Sequence, residues 1–145
     1  MGEILDQFKK RGEGRLPGFI GIEFIEVVPK RAVARVALRE HHLAPNGFLH
    51  AATLVALADT ACGYGCVASL PDGAENFTTI ELKTNFMGTA RQGGIRVEAT
   101  LVHGGRTTQV WDATVRDEQN DKVIALFQCT QLSLYSTKDE RPKGS

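Results

Sequence analysis

The chain carries no excess of charge of either sign: 17 Lys and Arg stand against 17 Asp and Glu in 145 residues. Without a basic surplus there is no global field to favour nucleic acid or an anionic membrane as partner. Cysteine is scarce and odd in number, and Cys62, Cys66 and Cys129 all sit in apolar sequence. That argues against a disulfide framework and for reduced, buried thiols in a cytoplasmic protein. Cys62 and Cys66 share a helix face, but two soft ligands without a third make no zinc site. His41, His42 and His50 are too irregularly spaced to supply one, so no metal and no cofactor is assigned. A Gly-x-Ser-x-Gly elbow, a phosphate-binding glycine loop and zinc-finger spacing are all missing. The most apolar stretch, Ala51 to Cys66, is broken by Thr53, Asp59, Thr60, Gly63, Gly65 and many alanines. It reads as too weakly hydrophobic for a membrane span. The first ten residues place acids before bases around no apolar segment, unlike a secretory signal.

What is present reads as one α+β domain over residues 1–145, with 1–15 an N-terminal extension and 136–145 a flexible tail. A chain of this length can build a core without staples. Residues 3–10 carry a short helical pattern in Ile4, Leu5 and Phe8. An apolar stretch from Phe19 to Val28, the turn Pro29-Lys30 and the alternating 31–38 form a hairpin. Pro45 and Asn46-Gly47 mark a loop. A helix then runs from about His50 to Ser69. Four strand patterns follow: Phe77–Met87 with Ile80, Leu82, Thr84 and Phe86 on one face, Ile95–Val102, Thr107–Arg116 and Lys122–Tyr135. Gly104-Gly105 and Asp117–Asp121 are their hairpin turns. One helix, apolar nearly all round, has about six strands to cover it, so the sheet should curl around it.

Asp59 is the anomaly in that helix. An ionised carboxylate is rarely buried without a partner, and the nearest cations in sequence are Arg39 and Lys83. Just upstream lie Asn46, Gly47 and His50. The first N–H groups of a helix lack internal partners and sit at the positive end of its dipole. The Ala51 N–H is thus a candidate oxyanion donor, with small side chains at 51 and 52 to admit a carbonyl. Asp59 is a candidate nucleophile or general base. Eight residues of straight helix separate the two by roughly 12 Å, too far for one carbonyl carbon, which needs both within about 3.5 Å. If both act, Ala51 of one subunit must face Asp59 of another.

The run Asn46-Gly-Phe-Leu-His-Ala-Ala-Thr-Leu-Val-Ala-Leu-Ala-Asp-Thr-Ala-Cys-Gly63 resembles the signature Gly-x-x-His-Gly-Gly-x-x-x-x-Leu-x-Asp. That signature belongs to hotdog-fold acyl-CoA thioesterases of the phenylacetate-degradation (PaaI) and 4-hydroxybenzoyl-CoA type, and the similarity extends from about Leu16 to Leu134. The resemblance implies a helix wrapped by an antiparallel sheet, a homodimer as minimal unit within a homotetramer, an acyl-CoA substrate and no cofactor. It matches Gly47 and His50 to the motif glycine and histidine, Ala51 to the glycine whose N–H polarises the thioester, and Asp59 to the catalytic carboxylate. It matches Thr79 to a hydroxyl that places water. Phe86 and the turn His103, Gly104, Gly105, Arg106 and Thr107 fall on positions that line the CoA path. Ala51-Ala52 stands where the signature has Gly-Gly. Ala44 stands where relatives carry an amide, which leaves Asn46 as the nearest substitute. Two other classes fit the same fold: an enoyl-CoA hydratase or dehydratase, in which His41 or His42 reaches Asp59, and a non-catalytic acyl-CoA-binding protein.

Overall fold

Ala51–Ala68 forms one uninterrupted helix, α3, rich in the alanine and leucine that favour helix. The computed structural model describes residues 2–136. Two shorter helices, α1 (Gly2–Gly12) and α2 (Leu16–Ile20), precede the hairpin β1 (Ile22–Val28) and β2 (Arg31–Ala37). After α3 come β3 (Ala74–Phe86), β4 (Gly94–Gly104), β5 (Thr108–Asp117) and β6 (Val123–Tyr135). All neighbouring strands are antiparallel, in the order β1-β2-β4-β5-β6-β3. The sheet curls about α3, which packs against every strand. Leu54, Leu57, Ala58, Ala61, Cys62 and Cys66 of the helix meet Val36, Val97, Trp111, Val115 and Phe127 of the sheet in one core. Toward the C-terminal half of α3, helix α1 lays Phe8 on Tyr64, with ring centroids 5.0 Å apart.

Over its eighteen residues α3 has a mean hydropathy of 1.4, enough for a membrane span by length and composition. The expectation that it is too weakly hydrophobic is therefore corrected. What makes it a core helix is that half of it is buried within the fold.

Glycine permits the close packing. A Cβ on Gly65 would lie 2.6 Å from the Trp111 ring, which is fully buried. Gly65→Ala is therefore expected to destabilise the fold by about 1–3 kcal/mol through overpacking, measured by denaturant unfolding. A Cβ on Gly63 would come as close to Phe77, at 2.7 Å, but that ring is only half-buried on the edge strand and can give way.

Several boundaries differ from the sequence reading. The apolar stretch from Phe19 does not begin a strand. Leu16–Ile20 is a helical turn with Pro in its first turn, closed by Gly21 at φ 86. Beyond Ala37 the expected loop contains a 3₁₀ turn, Glu40–His42. Val33 is buried together with Ala32 and Ala34, so strict alternation fails in β2, an interior strand between β1 and β4. Gly104 is the last residue of β4 rather than part of the turn. The tail from residue 137 onward lies outside the described residues.

β3 is one of the sheet's two edges and carries a bulge between Thr79 and Glu81. Thr79 opposes Gln131, while Leu82 and Thr84 oppose Cys129 and Phe127. Opposed residues share a face. The extra residue therefore puts Thr79, Leu82, Thr84 and Phe86 on the helix side and removes Ile80 from the expected set.

Candidate functional site

The loop before α3 is built to deliver a helix start. Gly47 adopts φ 87, and its N–H donates to the Ala44 carbonyl at 2.8 Å while Ala44 N–H donates to Phe48 O at 2.7 Å. Asn46 Oδ1 accepts from Phe48 N–H at 3.2 Å, which commits that side chain to the turn. Leu49 N–H donates to Thr89 Oγ1 at 2.9 Å, pinning the loop to the segment after β3. His50 is extended, with φ −67 and ψ 135, and caps the helix: its Nδ1 accepts from Ala52 N–H at 2.9 Å. Its carbonyl accepts from Thr53 N–H at 3.0 Å. The next donors are thus engaged, and Ala51 N–H, on an exposed residue, has no partner among the described residues. It is a free donor at the positive end of the longest helix.

Asp59 lies two turns further along α3, half-buried, and no cation pairs with it among the described residues. Thr79 Oγ1 reaches across from β3 to its Oδ1 at 3.2 Å. Burial raises the carboxyl above the usual aspartate value, and the Thr79 hydroxyl partly offsets this. Behind Thr79 stands Gln131, fully buried, with Oε1 at 2.6 Å from Thr79 Oγ1. Gln131 escaped the sequence reading. A second buried amide, Gln109, opposes it on β5, accepting from Trp111 Nε1 at 2.7 Å and donating to Ser69 O at 3.0 Å. Burial pushes the Cys66 thiol up to about 12 and the Cys62 thiol up as well, so neither is a thiolate nucleophile.

One chain therefore brings Asp59 and Thr79 together, and separately gathers Asn46, Gly47, His50 and Ala51. Because α3 is continuous, Ala51 and Asp59 stay roughly 12 Å apart along its axis. The CoA-path positions divide as well. Phe86 pairs with Ala125 near the start of β6, and Thr108, next to the Arg106-Thr107 turn, pairs with Leu132 near its end. That turn sits by the C-terminal end of α3, where Gln109 bonds Ser69. In it Gly105 N–H donates to Thr108 O, Thr107 O accepts from Ser133 N–H, and the Arg106 guanidinium lies over the Tyr135 ring.

Residues 46–124 match the model of the Thioesterase superfamily, more than half of the chain. This chain belongs to that family. Relatives include the 1,4-dihydroxy-2-naphthoyl-CoA hydrolase of Listeria monocytogenes, 32% identical over 77% of this chain and 89% of the relative. The Escherichia coli enzyme of the same name is 28% identical over 79% and 84%. In fold, the thioesterase PA1618 of Pseudomonas aeruginosa, solved as a mutant, superposes with a TM-score of 0.85 at 22% identity, covering 91% and 94%. The curled sheet on a central helix is thus the hotdog fold, and the chain is a thioester hydrolase by family.

His42, before α3, has structural work. It is buried, its Nδ1 accepting from Arg39 N–H at 2.9 Å and its Nε2 lying 2.7 Å from Ile20 O. With Nδ1 an acceptor, Nε2 must carry the proton and donate. Both nitrogens are spent, and neither faces Asp59, which removes the partner a hydratase would need from His42. Burial also lowers His42 below the ordinary histidine value. Folding then favours the neutral ring, so its stabilisation is complete above the unfolded pKa of about 6.5 and is lost as pH falls through the folded value. The melting temperature is expected to drop below that pH, less steeply in His42→Gln, by calorimetry across pH.

Proposed function

We propose that the protein hydrolyses the thioester of an acyl- or aryl-CoA to the free acid and CoA at a site shared by two subunits. The observation that carries this is the separation along α3: a free helix N-terminal N–H at Ala51, and an uncompensated carboxylate at Asp59 too far off to serve the same carbonyl. Two antiparallel copies of α3 would supply both groups to one substrate, twice. An apolar edge supports the pairing, since Ile80, Leu82 and Phe86 of β3 and the adjoining Met87 are all exposed.

In this reading Ala51 N–H polarises the thioester carbonyl as negative charge develops on oxygen. Asp59 of the other subunit takes a proton from water as it attacks, or attacks itself and forms a mixed anhydride that water opens. Either way the C–S bond breaks, the thiolate leaves as CoA, and Thr79 orients the water beside Asp59. His50 acts as cap for the Ala51 end, and Gly47 shapes the approach. The turn His103–Thr107 of one subunit and Phe86 of the other would flank the CoA. Neither metal nor organic cofactor enters. The aryl-CoA hydrolases among the relatives favour an aromatic acyl group, and the family resemblance favours a tetramer of two such dimers in the cytoplasm.

The test is a thiol-release assay across aryl-, short- and long-chain acyl-CoAs, with acid and CoA quantified. Equimolar acid and CoA are the expected products. Hydration of an enoyl-CoA without thiol release would instead identify the hydratase, and saturable binding without turnover would identify a binding protein.

A further inference from the structure

The hydroxyl of Thr79 has one proton and two oxygens in reach: Asp59 Oδ1 at 3.2 Å and Gln131 Oε1 at 2.6 Å. Gln131 is fully buried on β6, and its Nε2 lies 3.4 Å from Cys129 Sγ, itself buried. Two arrangements give the Thr79 hydroxyl a partner on both sides. With Asp59 protonated, its O–H donates to Thr79 Oγ1, Thr79 donates to Gln131 Oε1, and Gln131 Nε2 donates to the sulfur; the Gln131 amide in the structure is turned as this arrangement requires. With Asp59 ionised, the carboxylate can only accept. If Thr79 donates to it, two oxygens face each other at 2.6 Å unless the Gln131 amide turns over to present its NH₂. In that second state Cys129 S–H donates to the amide oxygen.

We infer that Gln131 is a positioning residue for the hydrolysis, whose amide turns about its terminal bond as Asp59 gives up its proton to water, and so keeps the Thr79 hydroxyl aimed at the working carboxylate. The inference rests on Asp59 being the reacting carboxylate. Gln131 touches no substrate in this scheme; it acts through Thr79, on the neighbouring strand. A buried glutamine that merely fills hydrogen-bonding capacity would keep one orientation across pH, and this one has to change.

The wild-type protein, labelled with ¹⁵N and ¹³C, tests this without turnover. The Gln131 Nε2 resonance, identified by its loss in Gln131→Met, is expected to move with the same midpoint as the Asp59 carboxyl carbon and to stand still in Asp59→Asn. A Gln131 resonance unchanged through the Asp59 titration would overturn the inference. In kinetics, Gln131→Met is expected to lower kcat about tenfold, the loss of roughly one hydrogen bond's worth of orientation, with KM held. In a Thr79→Val background it should lower kcat no further, because the element it acts through is gone. Independent, multiplying losses would also overturn it. If no CoA thioester is cleaved, the proposed function fails, while the titration still decides whether the Gln131 amide turns with Asp59.

Discussion

Asp59→Asn should leave a folded protein with kcat reduced by about a thousandfold or more, the scale for losing a base or nucleophile, and KM nearly unchanged. The amide keeps the size of the side chain and can still accept from Thr79, so substrate binding and packing survive. Folding and chemistry should in fact move in opposite directions. Burial lifts the Asp59 carboxyl above its ordinary value, so the folded protein holds the ionised form at a cost. Its contribution to stability is therefore full below the unfolded pKa of about 3.9 and lost as pH rises through the raised folded value. At neutral pH the asparagine variant, free of that charge, should melt no lower than wild type. Catalysis needs the opposite form. kcat/KM should fall on the acid side through an ionisation above the ordinary aspartate range, and Thr79→Val should move that limb higher still, because the hydroxyl that favours the carboxylate is removed. Retained turnover in Asp59→Asn would refute the chemical role outright.

How far the sequence discloses this site depends on whether the signal is local. Asp59 announces itself, since an acid in an alanine-rich helix without a neighbouring cation conflicts with burial whatever the fold. The β4–β5 and β5–β6 hairpins follow equally from turn residues and alternation. Leu16–Ile20 was obscured because its apolar residues run straight into β1, although Pro17 and Gly21 are the marks of a short helix. Thr79 could be reached only through family resemblance. Strict alternation from Leu82 and Phe86 selects Ile80, and it takes the bulge at Thr79–Glu81 to turn the hydroxyl toward α3. Gln131 had no local signal at all. It is one glutamine in the run Gln128-Cys-Thr-Gln131, and its partner lies 52 positions away on the strand paired with it. His50 fell between: its position next to the helix was legible, but the bond from Ala52 N–H to its Nδ1 required coordinates.

Ala51→Pro should disable the other half of the site, and it separates the N–H from everything else at that end. Proline is tolerated in the first turn, where the missing N–H has no helical partner, and it requires an extended residue before it, which His50 already is at φ −67 and ψ 135. The helix should therefore stand while kcat falls about 10²- to 10³-fold, the usual loss of one oxyanion donor. Mixing then tests the shared site directly. Homodimers of Ala51→Pro and of Asp59→Asn each lack one group at both sites. In the mixed dimer, one site would combine the intact Ala51 N–H of one chain with the intact Asp59 of the other, and the second site would hold both defects. Co-refolding equal amounts gives half mixed dimers, each with one working site of two, so activity should recover to about a quarter of wild type. If both groups served the same substrate from within a single chain, no pairing of these variants would restore an intact site, and mixing would recover nothing.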